Sequence, residues 1–128
     1  MTNHDATDQQ ITWDPKKFMR AQVELVKAGL KQLDAGIDHF GPDDIDEDLT
    51  FGNIMGSATR SLRIAHVIRH CGLDDPFQGI HHGARISKRK SAKGRPVKLY
   101  SLCSRGAALA FLKRHEEEAR PLQRELAV

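Results

Sequence analysis

Histidine and cysteine are the side chains of this 128-residue sequence best equipped for metal or redox chemistry. Six of them gather between positions 66 and 103: His66, His70, Cys71, His81, His82 and Cys103. Imidazole nitrogen and thiolate sulfur are zinc ligands, and His66 and His70 would share one face if a helix continued through them. The spacing fits no zinc pattern, because neither a CxxC pair nor an HExxH helix occurs. The six therefore read as ordinary surface and core residues, with no metal and no cofactor expected. Cys71 and Cys103 read as small buried hydrophobes on neighbouring strands, where a redox bridge would need close pairing. The acidic run DDIDED, Asp43–Asp48, is the second chemical candidate. Carboxylates can hold Mg²⁺ for phosphodiester cleavage only if they converge near a basic face. Placed after Gly41–Pro42 at the start of a short helix, they read instead as a solvated acidic surface. No GxSxG, Walker loop, dinucleotide fingerprint or EF-hand spacing is present, so the expectation is a protein that binds rather than catalyses.

The third candidate is cationic. Lys88, Arg89, Lys90, Lys93, Arg95 and Lys98 fall within the eleven residues KRKSAKGRPVK. The charge of the whole chain is only +3, but its distribution is uneven. Residues 1–50 hold five basic and eleven acidic groups, residues 51–105 eleven basic and two acidic, and residues 106–128 four of each. A basic block beside an acidic one points to a positive face for nucleic acid. Each cation that neutralises a phosphate releases condensed counterions, with a log–log salt slope of about −0.9 per contact. Arg95 stands between Gly94 and Pro96, and the proline restricts its backbone to extended geometry. An arginine on a stiff loop tip suits a minor groove.

These residues must be carried by elements, and the length favours one domain. The acidic, polar start MTNHDATDQQ lacks apolar periodicity and is the opposite of a secretory signal. No run approaches the ~20 apolar residues of a membrane span. The expected setting is cytoplasmic and nucleoid-associated, with reduced thiols. The expected division is a disordered tail over 1–12, a domain over 13–119 and a helix extension or tail over 120–128. Asp14 and Pro15 form a helix start, followed by Phe18, Val23, Val26, Leu30, Leu33 and Ile37 at helical spacing. That helix ends near Gly36 or a few residues beyond. A short helix with Ile45 and Leu49 as its buried stripe comes next, and then a helix over 53–66. Strands are expected at 67–71 and 97–103, joined by a long loop or splayed hairpin in which 85–87 contributes strand. Ser104 caps a last helix running to about Ala119. The fold class is α+β, mainly α: a three-helix core, a two- or three-stranded hairpin and a C-terminal helix.

Two stretches carry a resemblance to a known superfamily. FGPDDID followed by FGNIMGSATRSLRIAHVIRHCG (within 40–72) is similar to the short helix, recognition helix and strand of winged helix-turn-helix proteins. GRPVKLYSLCSRGAAL (94–109) resembles their wing exit, with Cys103 standing where the PadR and MarR groups of bacterial and phage regulators usually have threonine. The resemblance implies a homodimeric transcriptional regulator, often a repressor, on double-stranded DNA. In that layout the third helix enters the major groove and the hairpin lies on the flanking backbone.

Helical geometry distributes the roles. At about 100° per residue, Ile54, Ala58, Leu62 and Ala65 fall in one sector about 80° wide, the expected packed face. Asn53, Gly56, Ser57, Thr59, Arg60 and Arg63 are the expected DNA-facing set, because arginine pairs with guanine and asparagine with adenine. The wing set is Arg85, Lys88, Arg89, Lys90, Lys93, Arg95 and Lys98. Phe18 and Val26 on the first helix, with Leu109 and Leu112 on the last, are the expected dimer surface. The sequence names no small-molecule effector. Rival readings are a plasmid or phage replication or maintenance factor on the same fold, and a protein-interaction module that has lost DNA binding.

Overall fold

A computed structural model describes residues 14–46, 49, 54–90 and 93–118. The expected tails at 1–12 and 120–128 lie outside the described residues, as does Asn53. Asp14 accepts a hydrogen bond from the Lys16 N–H at 2.9 Å and opens helix α1 (Pro15–Asp34), with Pro15 as its first residue. The apolar stripe of α1 buries Ala21, Val23, Leu25 and Val26. Helix α2 (Ile54–Ile64) packs on α1 through Ile54, Ala58 and Leu62. Helix α3 (Arg105–Glu118) is capped by the Ser104 hydroxyl, which accepts from the Ala107 N–H at 3.0 Å, and returns to α1. Burying a large apolar side chain contributes about 1.5–3 kcal/mol, so Phe40, Leu25, Leu49 and Leu62, all fully buried, hold the helices together. Two expectations about α2 change. It ends at Ile64 rather than position 66, because His66 takes a left-handed φ of 60°, and Ala65 is exposed.

Strands β1 (Ile68–His70), β2 (Ala84–Ile86), β3 (Pro96–Lys98) and β4 (Tyr100–Leu102) make two antiparallel pairs, β1 with β4 and β2 with β3. β3 and β4 are halves of one continuous strand, separated only by Leu99. The Leu99 N–H donates to Gly83 O at 2.8 Å and its carbonyl accepts from the Cys71 N–H at 3.0 Å, so β1 and β2 lie end to end along the same edge. Pairing runs Ile68↔Leu102 to His70↔Tyr100, then resumes Ala84↔Lys98 to Ile86↔Pro96. The register sum jumps from 170 to 182, so a twelve-residue excursion, Gly72–Gly83, interrupts what is otherwise a two-stranded ribbon. On the opposite edge, Phe40 exchanges two backbone hydrogen bonds with Tyr100, at 2.9 and 2.8 Å.

The excursion is an ordered structure. Asp75 and Ile80 exchange backbone bonds at 2.8 and 2.9 Å around a 3₁₀ turn, Pro76–Gln78, whose N–H at Phe77 is accepted by the Asp75 side chain. Ile80 folds back under the ribbon against Cys71 and Leu99. Gly83 closes the excursion at φ +74°, where a β-carbon would stand 1.9 Å from the Cys71 carbonyl oxygen. Gly29 has a related role on α1: a β-carbon there would meet Leu102 and Phe40 at 2.9 Å, so its absence lets the helix backbone approach the sheet.

The two cysteines do not meet. Cys71 is buried opposite Leu99, whereas Cys103 is exposed and donates its N–H to Val67 O. Four strand positions at about 3.3 Å each separate their levels on the ribbon, beyond disulfide reach. Among the described residues no helix is long and apolar enough to cross a membrane.

Candidate nucleic-acid interface

The outward face of α2 carries Gly56, Ser57, Arg60 and Arg63. Gly56 and Arg60 are exposed, Ser57 and Arg63 half-buried, and a β-carbon at Gly56 would meet nothing within 4 Å. Thr59 does not belong to this set. It is 4% exposed, and its hydroxyl donates to the Met55 and Gly56 carbonyls at 3.0 and 3.1 Å. The packed sector of α2 is wider than expected and turned toward Met55, which packs against the core, so Thr59 falls at its margin and goes inward.

β1 follows α2 after one left-handed turn, and this places His70 beside the helix. His70 stacks on Tyr100 with ring centroids 5.4 Å apart and planes at 27°. Partial burial, then the positive charges of Arg63 and Lys98, hold the His70 pKa below the ordinary histidine value. The shift reports a geometry: Arg63 of α2 and Lys98 of β3 each lie within electrostatic reach of His70 on β1. Side chains two apart on a strand share a face, so Lys98 and Tyr100 stand on the same side of the sheet. Helix and ribbon thus both bring positive charge close to His70, the residue of this surface that reasoning from sequence missed. Its usual signal, metal-ligand spacing, pointed elsewhere. Among the described residues no three His, Cys, Asp or Glu side chains gather as a metal-binding group.

The hairpin closes where the Ser87 N–H donates to Arg95 O at 2.9 Å, and the Lys93 N–H donates to Lys90 O at 3.1 Å inside the tip. Lys93 and Gly94 turn the chain with φ of 51° and 78°. Lys90, Lys93, Arg95 and Lys98 are exposed and make no ion pair among the described residues. The Arg95 carbonyl accepts the Ser87 hydrogen bond that closes the hairpin.

Three cations of the expected wing set are committed elsewhere. Arg85 Nη2 donates to Asp43 Oδ1 at 2.8 Å and to Asp44 Oδ2 at 3.2 Å, with its side chain only 15% exposed. The Lys88 ammonium pairs with Asp44, and the Lys88 N–H donates to Asp43 Oδ2 at 3.0 Å. Arg89 Nη2 donates to Pro42 O at 3.1 Å and to Ile45 O. All three grip one 3₁₀ turn, Pro42–Asp44. This corrects two expectations together. Arg85, Lys88 and Arg89 hold the base of the hairpin instead of standing free for phosphate, and Asp43 and Asp44 are not a solvated acidic surface. Burial would raise the Asp44 pKa, but the Lys88 ammonium, the Gly41 N–H at 2.8 Å and the Arg85 charge together hold it below the usual carboxylate value. Burial opposes the charge of Arg85 as well, and the two carboxylates more than restore it.

The expected dimer surface is also redrawn. Val26 is 0% exposed inside the core of its own chain, and Leu112 packs partly against that core. Leu109 is 52% exposed. Phe18 lines a groove of about 470 Å³ between α1, the end of α2 and α3, with Met19, Ala65, Ala107 and Phe111. No protein family matches the sequence, and neither curated proteins nor solved structures yield a match.

Proposed function

We propose that this chain is a winged helix-turn-helix protein that binds double-stranded DNA, with α2 in the major groove and the 84–98 hairpin as the wing on phosphates and the minor groove. One observation carries the reading: Arg63 on the outward face of α2 and Lys98 on the ribbon both act on His70, which stacks on Tyr100 of the sheet, so helix and ribbon bring positive charge to one place. An isolated basic loop would need no such convergence. A duplex contact does, because the backbone flanking the occupied groove must meet the hairpin. The unpaired Lys90, Lys93 and Arg95 at the tip suit phosphates or a narrow minor groove. Half-sites about one DNA turn apart would be met by a homodimer, for which Leu109 and the α1–α3 groove are the docking elements. On this reading the protein is a transcriptional regulator acting by occupancy, as a repressor does.

Selection of bound duplexes from a random pool, repeated across salt concentrations, tests the proposal. The expected result is an enriched inverted repeat, with affinity lost in Arg60→Ala plus Arg63→Ala. DNA retention indifferent to that double substitution would sink the groove assignment. Footprinting on the natural replicon then separates a promoter site from an origin or partition site.

A further inference from the structure

We propose that Asp43 is a positioning residue for DNA recognition: its buried carboxylate locks the base of the hairpin onto the turn that precedes α2 and thereby sets the angle between wing and helix. The proposal rests on the duplex-binding reading above. The Asp43 side chain is 1% exposed and accepts from Arg85 Nη2 at 2.8 Å and from the Lys88 N–H at 3.0 Å. Its partners are 42 and 45 residues away in sequence, so the contact joins segments far apart in the chain. Asp44 completes the clamp by accepting from the Gly41 N–H and from Arg85. The residue before Gly41, Phe40, is paired with Tyr100, so the turn is tied to the sheet at one end and to the hairpin base at the other.

A buried ion pair is a weak source of net stability, because desolvation offsets most of its Coulombic gain. Its better-supported use is to fix one arrangement among several, and here the arrangement fixed is that of the hairpin. The sign of the effect separates this role from plain electrostatics. DNA is a polyanion, so removing a carboxylate from a DNA-binding protein should tighten binding if charge alone matters. A positioning role requires the opposite.

The test uses the full chain, with Asp43→Asn and the charge-neutral Arg85→Lys, which keeps the cation but loses the guanidinium Nη2 that bridges both carboxylates. Anisotropy is measured on the selected duplex and on a scrambled one, together with amide hydrogen exchange over residues 86–96. The expected result in both variants is a loss of about tenfold or more on the selected duplex, a change within about twofold on the scrambled one, and faster exchange in the hairpin. Selected-duplex affinity that is unchanged or higher overturns the proposal. Should Asp43→Asn fail to fold, Arg85→Lys carries the same comparison. If the wild-type chain binds neither duplex, the DNA reading fails and takes the recognition role of Asp43 with it. Exchange over 86–96 then still decides whether the carboxylate holds the hairpin.

Discussion

Thr59 and Arg60 are neighbours in sequence and opposites in environment, one 4% exposed with its hydroxyl turned onto its own helix, the other exposed beside the bare surface of Gly56. A 100° step from a packed sector leaves residues at its margin undecided, and only packing against neighbouring elements resolved Thr59. Thr59→Val is expected to leave duplex affinity unchanged and to move stability by about 1 kcal/mol or less, read by denaturant titration. Arg60→Ala is expected to cost about 1–3 kcal/mol of duplex affinity and relax preference at one base pair. His70 makes a pH-dependent test. Its folded pKa lies below the ordinary value through burial, Arg63 and Lys98, so protons bind the unfolded chain more readily. Stability is therefore full above the ordinary histidine pKa of about 6.5, falls as pH drops through it, and stops falling below the depressed folded value. A DNA phosphate at this surface would reverse that penalty. Duplex affinity is then expected to rise between about pH 8 and pH 6 at constant ionic strength, with the pH dependence abolished in His70→Gln.

At the scale of elements, α1 and α3 and their caps were legible because each signal is local: Asp14–Pro15 opens α1 and Ser104 opens α3 within a few residues of the side chains involved. The expected short helix with Ile45 in its stripe is instead a 3₁₀ turn, Pro42–Asp44, after which Ile45 is extended. The strands at 67–71 and 97–103 were legible from alternation and β-branched or aromatic content. What lay between them was not. Alternation fixes the faces of a strand but not its partner, and the register jump that makes β1 and β2 one interrupted edge exists only in the pairing. The structure recasts the long insert as a closed excursion that leaves the ribbon at Gly72 and rejoins it at Gly83. Deleting Gly72–Gly83, so that Cys71 is followed by Ala84, would continue a single register from Ile68↔Leu102 through Ala84↔Lys98. The shortened chain is expected to fold with duplex binding retained, at a cost of about 2–5 kcal/mol for the lost Ile80 packing, read by thermal denaturation and anisotropy. Gly83→Ala in the full chain is expected to be destabilising, because its β-carbon meets the Cys71 carbonyl and its φ is left-handed.

For the whole molecule, the division of charge along the sequence does not become a division in space. The acidic first block supplies Asp43 and Asp44, and these fold onto Arg85 and Lys88 of the basic block, while Arg89 holds the backbone carbonyls of the same turn. Sequence alone could not reveal this, since a pairing across more than forty residues has no periodicity to betray it. The consequence is measurable in the salt dependence of binding. Counted from the sequence, the wing set and the two α2 arginines offer nine cations to DNA. With Arg85, Lys88 and Arg89 held by the turn and Arg63 half-buried, five stand exposed outside the turn's grip: Arg60, Lys90, Lys93, Arg95 and Lys98. At about −0.9 per phosphate contact, the expected log–log slope is about −4.5 per protomer rather than about −8. Titration of duplex affinity against salt decides between the two values. Lys93→Ala should flatten the slope by about one contact, whereas Lys88→Ala should leave it nearly unchanged while loosening the hairpin. A slope near −8 would mean that the acidic turn releases its cations to DNA, and the clamp would then be a contact of the free protein alone.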